Sequence, residues 1–175
     1  MRKLTVEELE RLSVEEFKDK KKLPVVVVLD NIRSMHNVGA AFRTSDAFLV
    51  EKVYLCGITA RPPHREINKT ALGATESVQW EYVEDVNELV ETLREDYKIV
   101  CVEQADESVA LEDFMPYPSG RYCLVFGNEV YGVNERLVEE SDACVEITQF
   151  GTKHSLNVSV CIGIVVWEFF KKLRP

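Results

Sequence analysis

Three glycine-marked stretches hold the residue types that could do chemistry. The first is DNIRSMHNVGAAFRTSDAF, directly after a run of β-branched residues. A strand-to-helix turn there would present free backbone N–H groups and the positive end of a helix dipole, both attractive to anions. Asn37 enters this turn, and Gly39, Ala40 and Ala41 are small enough to let a ligand approach the backbone. Arg43 follows on a small, mostly apolar helix face, where a guanidinium is costly unless it meets an anion. An ion pair with Asp46, three residues on, is the competing reading.

The second stretch, LVFGNEVYGVN, places Gly127 at the end of an apolar run and Glu129 in the loop behind it. Such a glycine could leave room for a flat ligand at the carboxyl end of a sheet, where open α/β folds bind ligands. Taken alone, GxExxG is equally ordinary turn punctuation. The third, VEITQFGTKHSLNVSV, combines a loop at Gly151 with Ser155 as a candidate N-cap of a long final helix. Asn157 is an amide at the head of that greasy helix. It must either tie the loop together or touch a ligand.

These loops need a scaffold, and the apolar pattern supplies one. PVVVVLD is a continuous β-branched run, as expected of a parallel strand buried on both faces. Further strands are predicted at Val53–Cys56, Val78–Tyr82, Ile99–Val102, Tyr122–Phe126 and Cys144–Ile147. Helical patterns intervene at Val38–Phe48, Val86–Arg94 and Asn134–Glu139. The alternation predicts an α/β domain, a mostly parallel sheet with helices on both faces. Ahead of it, Thr5 with Glu8 and Ser13 with Glu16 fit capping boxes of short helices. The final helix, Ser155 to about Leu173, is apolar on nearly every side and so must be covered on nearly every side. It is expected to lie in a homodimer interface rather than inside one core.

Composition narrows the class. The 175 residues suit one domain, and no apolar stretch is long and uninterrupted enough for a membrane span. The five cysteines are odd in number and lack CxxC spacing, which favours reduced core thiols in a cytoplasmic protein over disulfides or a metal site. The net charge of −9 taken whole speaks against nucleic acid, but residues 81–146 alone carry net −14. Residues 31–80 and 147–175, which hold the first and third stretches, carry net +2 and +3. Binding to RNA depends on such local charge. No GxGxxG follows the first strand, which argues against a dinucleotide-binding enzyme.

Together and in this order, NVGAAFRTSDAF, LVFGNEVYG and GTKHSLNVSV closely resemble the three signature motifs of the SpoU (TrmH-like) family of RNA methyltransferases in the SPOUT superfamily. The resemblance runs from Val25 to about Phe170. It implies a domain over residues 23–175, with residues 1–22 as a short helical extension, and a C-terminal deep trefoil knot that periodicity does not suggest. It implies S-adenosylmethionine as cofactor, held at a dimer interface by Leu124, Phe126, Gly127, Glu129, Ile147, Gln149, Ser155 and Leu156, with no metal. It places the family's catalytic Arg on Arg43 and its partner on Asn37, with Ser155, Asn157 and Glu129 shaping the site. Glu129 would steer the cofactor's positive charge. The reaction implied is methylation of a ribose 2'-hydroxyl in tRNA or rRNA. The alternative is a non-catalytic binding relative that keeps the fold. Candidate RNA contacts are Arg33, His36, Arg43, Arg61, His64, Arg65, Lys69, Lys153 and His154. Two positions depart from the family: Leu49 stands where Gly is common, a matter of helix-end packing, and Thr148 where Pro is common.

Overall fold

The computed structural model describes residues 1–5 and 7–174. Seven strands form one sheet: β1 (Leu23–Asp30), β2 (Val50–Cys56), β3 (Trp80–Val83), β4 (Lys98–Val102), β5 (Val109–Ala110), β6 (Tyr122–Phe126) and β7 (Ala143–Glu146). Their order is β3-β2-β1-β6-β4-β7-β5, and every neighbouring pair is parallel. The expected α/β class therefore holds, and six of the strands lie within a few residues of their predicted places. The two-residue β5 was not legible, being too short to show a period.

The helices are α1 (Val14–Asp19), α2 (Met35–Ala47), α3 (Arg65–Ala71), α4 (Ala74–Ser77), α5 (Val86–Leu93), α6 (Glu135–Glu140) and α7 (Val158–Leu173). Both faces of β1 are buried, and its side chains alternate between two cores. Val25, Val27 and Leu29 join Phe42, Ile162 and Phe169 on one face. Val26 and Val28 join Leu89, Val90 and Leu137 on the other. A strand buried on both sides loses the polar alternation of a half-exposed strand, which is why VVVV could be read.

Ser13 and Glu16 form the expected capping box at α1. Thr5 and Glu8 also bond reciprocally, but around a single 3₁₀ turn rather than an α-helix. Phe17 of α1 is buried in the main core, so this part of the extension docks on the domain. Leu49 adopts φ +56°, a left-handed conformation that costs a side-chain-bearing residue about 1–2 kcal/mol. Glycine suits that position for its backbone as well as for packing.

Helix α7 begins later than expected. Its N-cap is Asn157, whose Oδ1 accepts from the Ser159 N–H at 2.9 Å, and Ser155 lies outside the helix. One face, with Ile162, Val165, Val166 and Phe169, is buried against the sheet and α2. The opposite face exposes Val160, Ile164 and Trp167 at 49%, 38% and 46%. Those residues recur at helical spacing, so the helix is not enclosed by its own chain.

Candidate cofactor and catalytic site

The carboxyl ends of β4, β6 and β7 open into a cavity of about 930 Å³. That volume falls in the range of small-molecule sites. Its walls come from three loops, residues 102–106 after β4, residues 126–133 after β6 and residues 146–158 between β7 and α7, and from Glu135, Val138 and Glu139 of α6. Of the expected cofactor contacts, Phe126, Gly127, Glu129, Ile147, Gln149, Ser155 and Leu156 line it. Leu124 does not. It is fully buried one pleat back in β6, where it packs in the main core.

The loop after β6 is a closed hairpin. Asn128 and Gly132 exchange backbone hydrogen bonds of 2.9 and 2.8 Å. A Cβ on Gly127 would lie 2.1–2.2 Å from the backbone of Gly132 and Val133. The missing side chain therefore makes room for the turn of the chain itself, and Gly127 stays on the cavity wall. Gly39 is similar: a Cβ there would meet Thr70 and the Ile67 carbonyl at 2.1–2.2 Å, so it admits α3 rather than an anion. Asn128 locks the turn. Its Oδ1 accepts from the N–H groups of Val130 (2.9 Å) and Tyr131 (3.2 Å), while its Nδ2 donates to the Asn31 carbonyl at 2.7 Å.

Glu129 also has a structural task. Its carboxylate accepts from the N–H groups of Arg33 (2.8 Å) and Ser34 (3.0 Å) and from Asn37 Nδ2 (3.0 Å). It thus satisfies free donors at the start of α2 and fixes the buried Asn37 amide. Burial pushes its pKa up, but the hydrogen bonds from Arg33, Ser34 and Asn37 outweigh that and hold it below the usual carboxylate range. Held ionised on the cavity wall, it keeps the negative charge that the expected steering role needs. Asn37 thus meets Glu129, and no hydrogen bond joins it to Arg43 among the described residues.

Arg43 points outward from α2. It is exposed, has no ion pair among the described residues, and does not line the cavity. The competing pairing with Asp46 is not made. Asp46 instead accepts a hydrogen bond from the Ser77 hydroxyl.

The candidate RNA contacts divide into two sets. His36 and Lys69 both bond Glu66, at 3.0 and 2.7 Å, and His64 caps α3 through Nδ1. The Arg61 guanidinium stacks 4.2 Å over the Tyr82 ring. Arg33, Arg65 and Lys153 are exposed without a carboxylate partner among the described residues. The His154 side chain is exposed, while its carbonyl is held by Gln104.

The cavity wall is anionic. Glu103, Asp106, Glu135, Glu139 and Glu146 contribute to it, and no Lys or Arg does among the described residues. Ile147, Leu156, Val158 and Val102 add apolar surface. Sequence reasoning missed the contribution of residues 102–106. The signal available was a polar pair, Glu103-Gln104, directly after a buried strand, at the edge where parallel sheets bind ligands. All five cysteines are free, and burial pushes the Cys56 and Cys101 thiols up to about 12, as suits inert core residues. No cluster with metal-ligand potential occurs among the described residues.

The fold and site define a class: a parallel α/β domain whose small-molecule cavity is built by the loops that close its C-terminal half. The family model described as "SpoU rRNA Methylase family" matches residues 24–167, and the chain belongs to that family. Among curated relatives, the tRNA (guanosine(18)-2'-O)-methyltransferase of Aquifex aeolicus (strain VF5) is 34% identical over an alignment of 158 residues that covers 87% of this chain and 72% of that one. The 23S rRNA (guanosine-2'-O-)-methyltransferase RlmB of Neisseria meningitidis serogroup B is 35% identical over 149 residues, covering 83% of this chain and 57% of the relative. Among solved structures, an AdoMet-bound rRNA methyltransferase from Sinorhizobium meliloti superposes with a TM-score of 0.81 at 26% identity, covering 91% of this chain and 61% of that one. The A. aeolicus TrmH/SpoU tRNA modifying enzyme gives 0.78 at 28% identity, covering 91% and 81%.

Proposed function

We propose that this protein transfers a methyl group from S-adenosylmethionine to a ribose 2'-hydroxyl of tRNA or rRNA. The carrying observation is the cavity, walled by the second and third motif loops and tied to the first motif through Glu129. Its acidic and apolar lining fits a cation with a flat ring attached, and excludes a phosphate chain on charge alone. The relatives' names and the AdoMet-bound neighbour support the same reading.

When bound, the cofactor supplies a methyl group already activated on a sulfonium. The protein's task is to bring the hydroxyl into line and exclude water. Gln149, Ser155 and Leu156 would hold the donor against the ends of β6 and β7, within the C-terminal knot that the family resemblance implies. Arg43 would bind the phosphate beside the target ribose and polarise its hydroxyl. A guanidinium keeps its proton, so its first service is positioning and charge.

In one chain Arg43 lies outside the cavity, so the site needs a second copy. The exposed stripe of Val160, Ile164 and Trp167 supports a homodimer, with the Trp167 ring packed at a tilt 5.5 Å from Phe48 at the end of α2. Pairing through α7 and α2 would carry the Arg43 of one chain towards the cavity of the other. Exposed Arg33, Arg65 and Lys153 suit phosphate contacts, and Tyr131, 87% exposed at the cavity mouth, suits stacking on an unpaired base. The setting proposed is cytoplasmic. Mass-spectrometric mapping of ribose methylation in RNA from cells with and without the gene tests the assignment. One 2'-O-methyl mark should vanish without the gene, and an unchanged map would refute it.

A further inference from the structure

Two adjacent residues at the end of β4 bond to both loops of the cavity. Glu103 Oε2 accepts from the Val133 N–H at 2.9 Å, and its Oε1 accepts from the Gln104 N–H at 2.9 Å. The same carboxylate lies against Gly132, where a Cβ would come within 2.2 Å of Oε2. Glu103 thus pins the far end of the hairpin after β6, opposite the pin supplied by Asn128. Gln104 reaches the other way, donating from Nε2 to the His154 carbonyl at 2.7 Å. Residues 149–156 make no backbone–backbone hydrogen bond among the described residues, and Gly151 touches nothing with its Cβ position. Among the described residues, Gln104 is the one side chain that bonds this loop to the sheet between Gln149 and Ser155.

We propose that Glu103 and Gln104 are positioning residues that brace the two cofactor loops against the end of β4 and so set the affinity for S-adenosylmethionine. The proposal deepens the methyltransferase reading and rests on it for the identity of the ligand. Neither residue belongs to the three motifs, and neither needs to touch the reacting atoms. The brace works because consecutive residues leaving a strand point to opposite sides, so one dipeptide can hold two loops.

The test uses three variants of the full chain: Glu103→Ala, Glu103→Gln and Gln104→Ala. S-adenosylmethionine affinity is measured by calorimetry. Two ligand-free readouts accompany it: hydrogen exchange of the Val133 amide, and tryptic cleavage after the exposed Lys153. Glu103→Ala should weaken binding about tenfold and expose the Val133 amide, the usual range for losing a hydrogen bond to a charged group. Glu103→Gln can turn its one acceptor oxygen to the Val133 N–H and leave the exposed Gln104 N–H to water, so it should restore most of both. Gln104→Ala, at a water-exposed bond, should weaken binding about threefold and speed cleavage at Lys153. Parental affinity in Glu103→Ala and Gln104→Ala would overturn the proposal. So would equal loss in Glu103→Gln and Glu103→Ala, which would assign Glu103 to the cofactor's charge instead. If the parent itself binds no S-adenosylmethionine, the methyltransferase reading fails. The brace is then judged by the exchange and cleavage rates alone: faster rates uphold it and unchanged rates overturn it.

Discussion

Removing the Glu129 carboxylate should unsettle the protein far more than an ordinary loop substitution. In Glu129→Ala the N–H groups of Arg33 and Ser34 lose an anionic acceptor but can turn to water. That exchange costs roughly 0.5–1 kcal/mol each, as at a helix N-cap. The Asn37 amide is only 8% exposed and loses its one acceptor, adding about 1–2 kcal/mol. The total is about 3 kcal/mol, equivalent to a fall of roughly 6–12 °C in Tm for a domain of this size. The effect must also depend on pH. The folded-state pKa of Glu129 is depressed, so its stabilisation is complete above the unfolded carboxylate value, about 4.3, and fades as pH falls through the folded value. Thermal melts of parent and Glu129→Gln from pH 7 to pH 3 check this. Gln offers one acceptor oxygen and turns an NH2 towards donors, so it should lose nearly as much at pH 7, and the gap should narrow below pH 4. A gap under about 1 °C at pH 7, or one that widens in acid, would refute the role assigned to Glu129.

Gly127→Ala forces a methyl into the Gly132 backbone at 2.1 Å. It should cost about 2–4 kcal/mol by denaturant melt and abolish cofactor binding. Trp167→Glu in the exposed α7 stripe should yield monomers by light scattering, with methyl transfer lost and the fold kept. In the native protein at pH 8, a disulfide reagent should leave Cys56 and Cys101 unmodified, since their thiols titrate near 12. Unfolding should make both react.

The sheet was legible because β1, β4 and β6 are buried on two faces and so are written as unbroken apolar runs. The capping box of Ser13 and Glu16 was legible because it is local. The tasks of the site residues were less so. Glu129 bonds Arg33 across 96 positions of sequence, and nothing in the spacing of either motif announces that. The motif glycines were read as room for a ligand; that Gly127 and Gly39 yield room to Gly132 and α3 shows only in the fold. Ser155 and Asn157 are both good caps by type. Only the path of the loop selects Asn157. The brace at Glu103 and Gln104 lay outside every motif, and only the fold brings β4 between the two loops.

The central claim is that the cavity delivers a methyl group to a ribose facing Arg43. The most direct measurement is transfer from methyl-labelled S-adenosylmethionine to purified RNA by the parent and by Arg43→Ala, with digestion to nucleosides and mass spectrometry, beside calorimetry of cofactor binding. The parent should yield a 2'-O-methylnucleoside, while Arg43→Ala yields none yet binds S-adenosylmethionine with parental affinity. A base-methylated product, an active Arg43→Ala, or loss of cofactor binding in that variant would contradict the account.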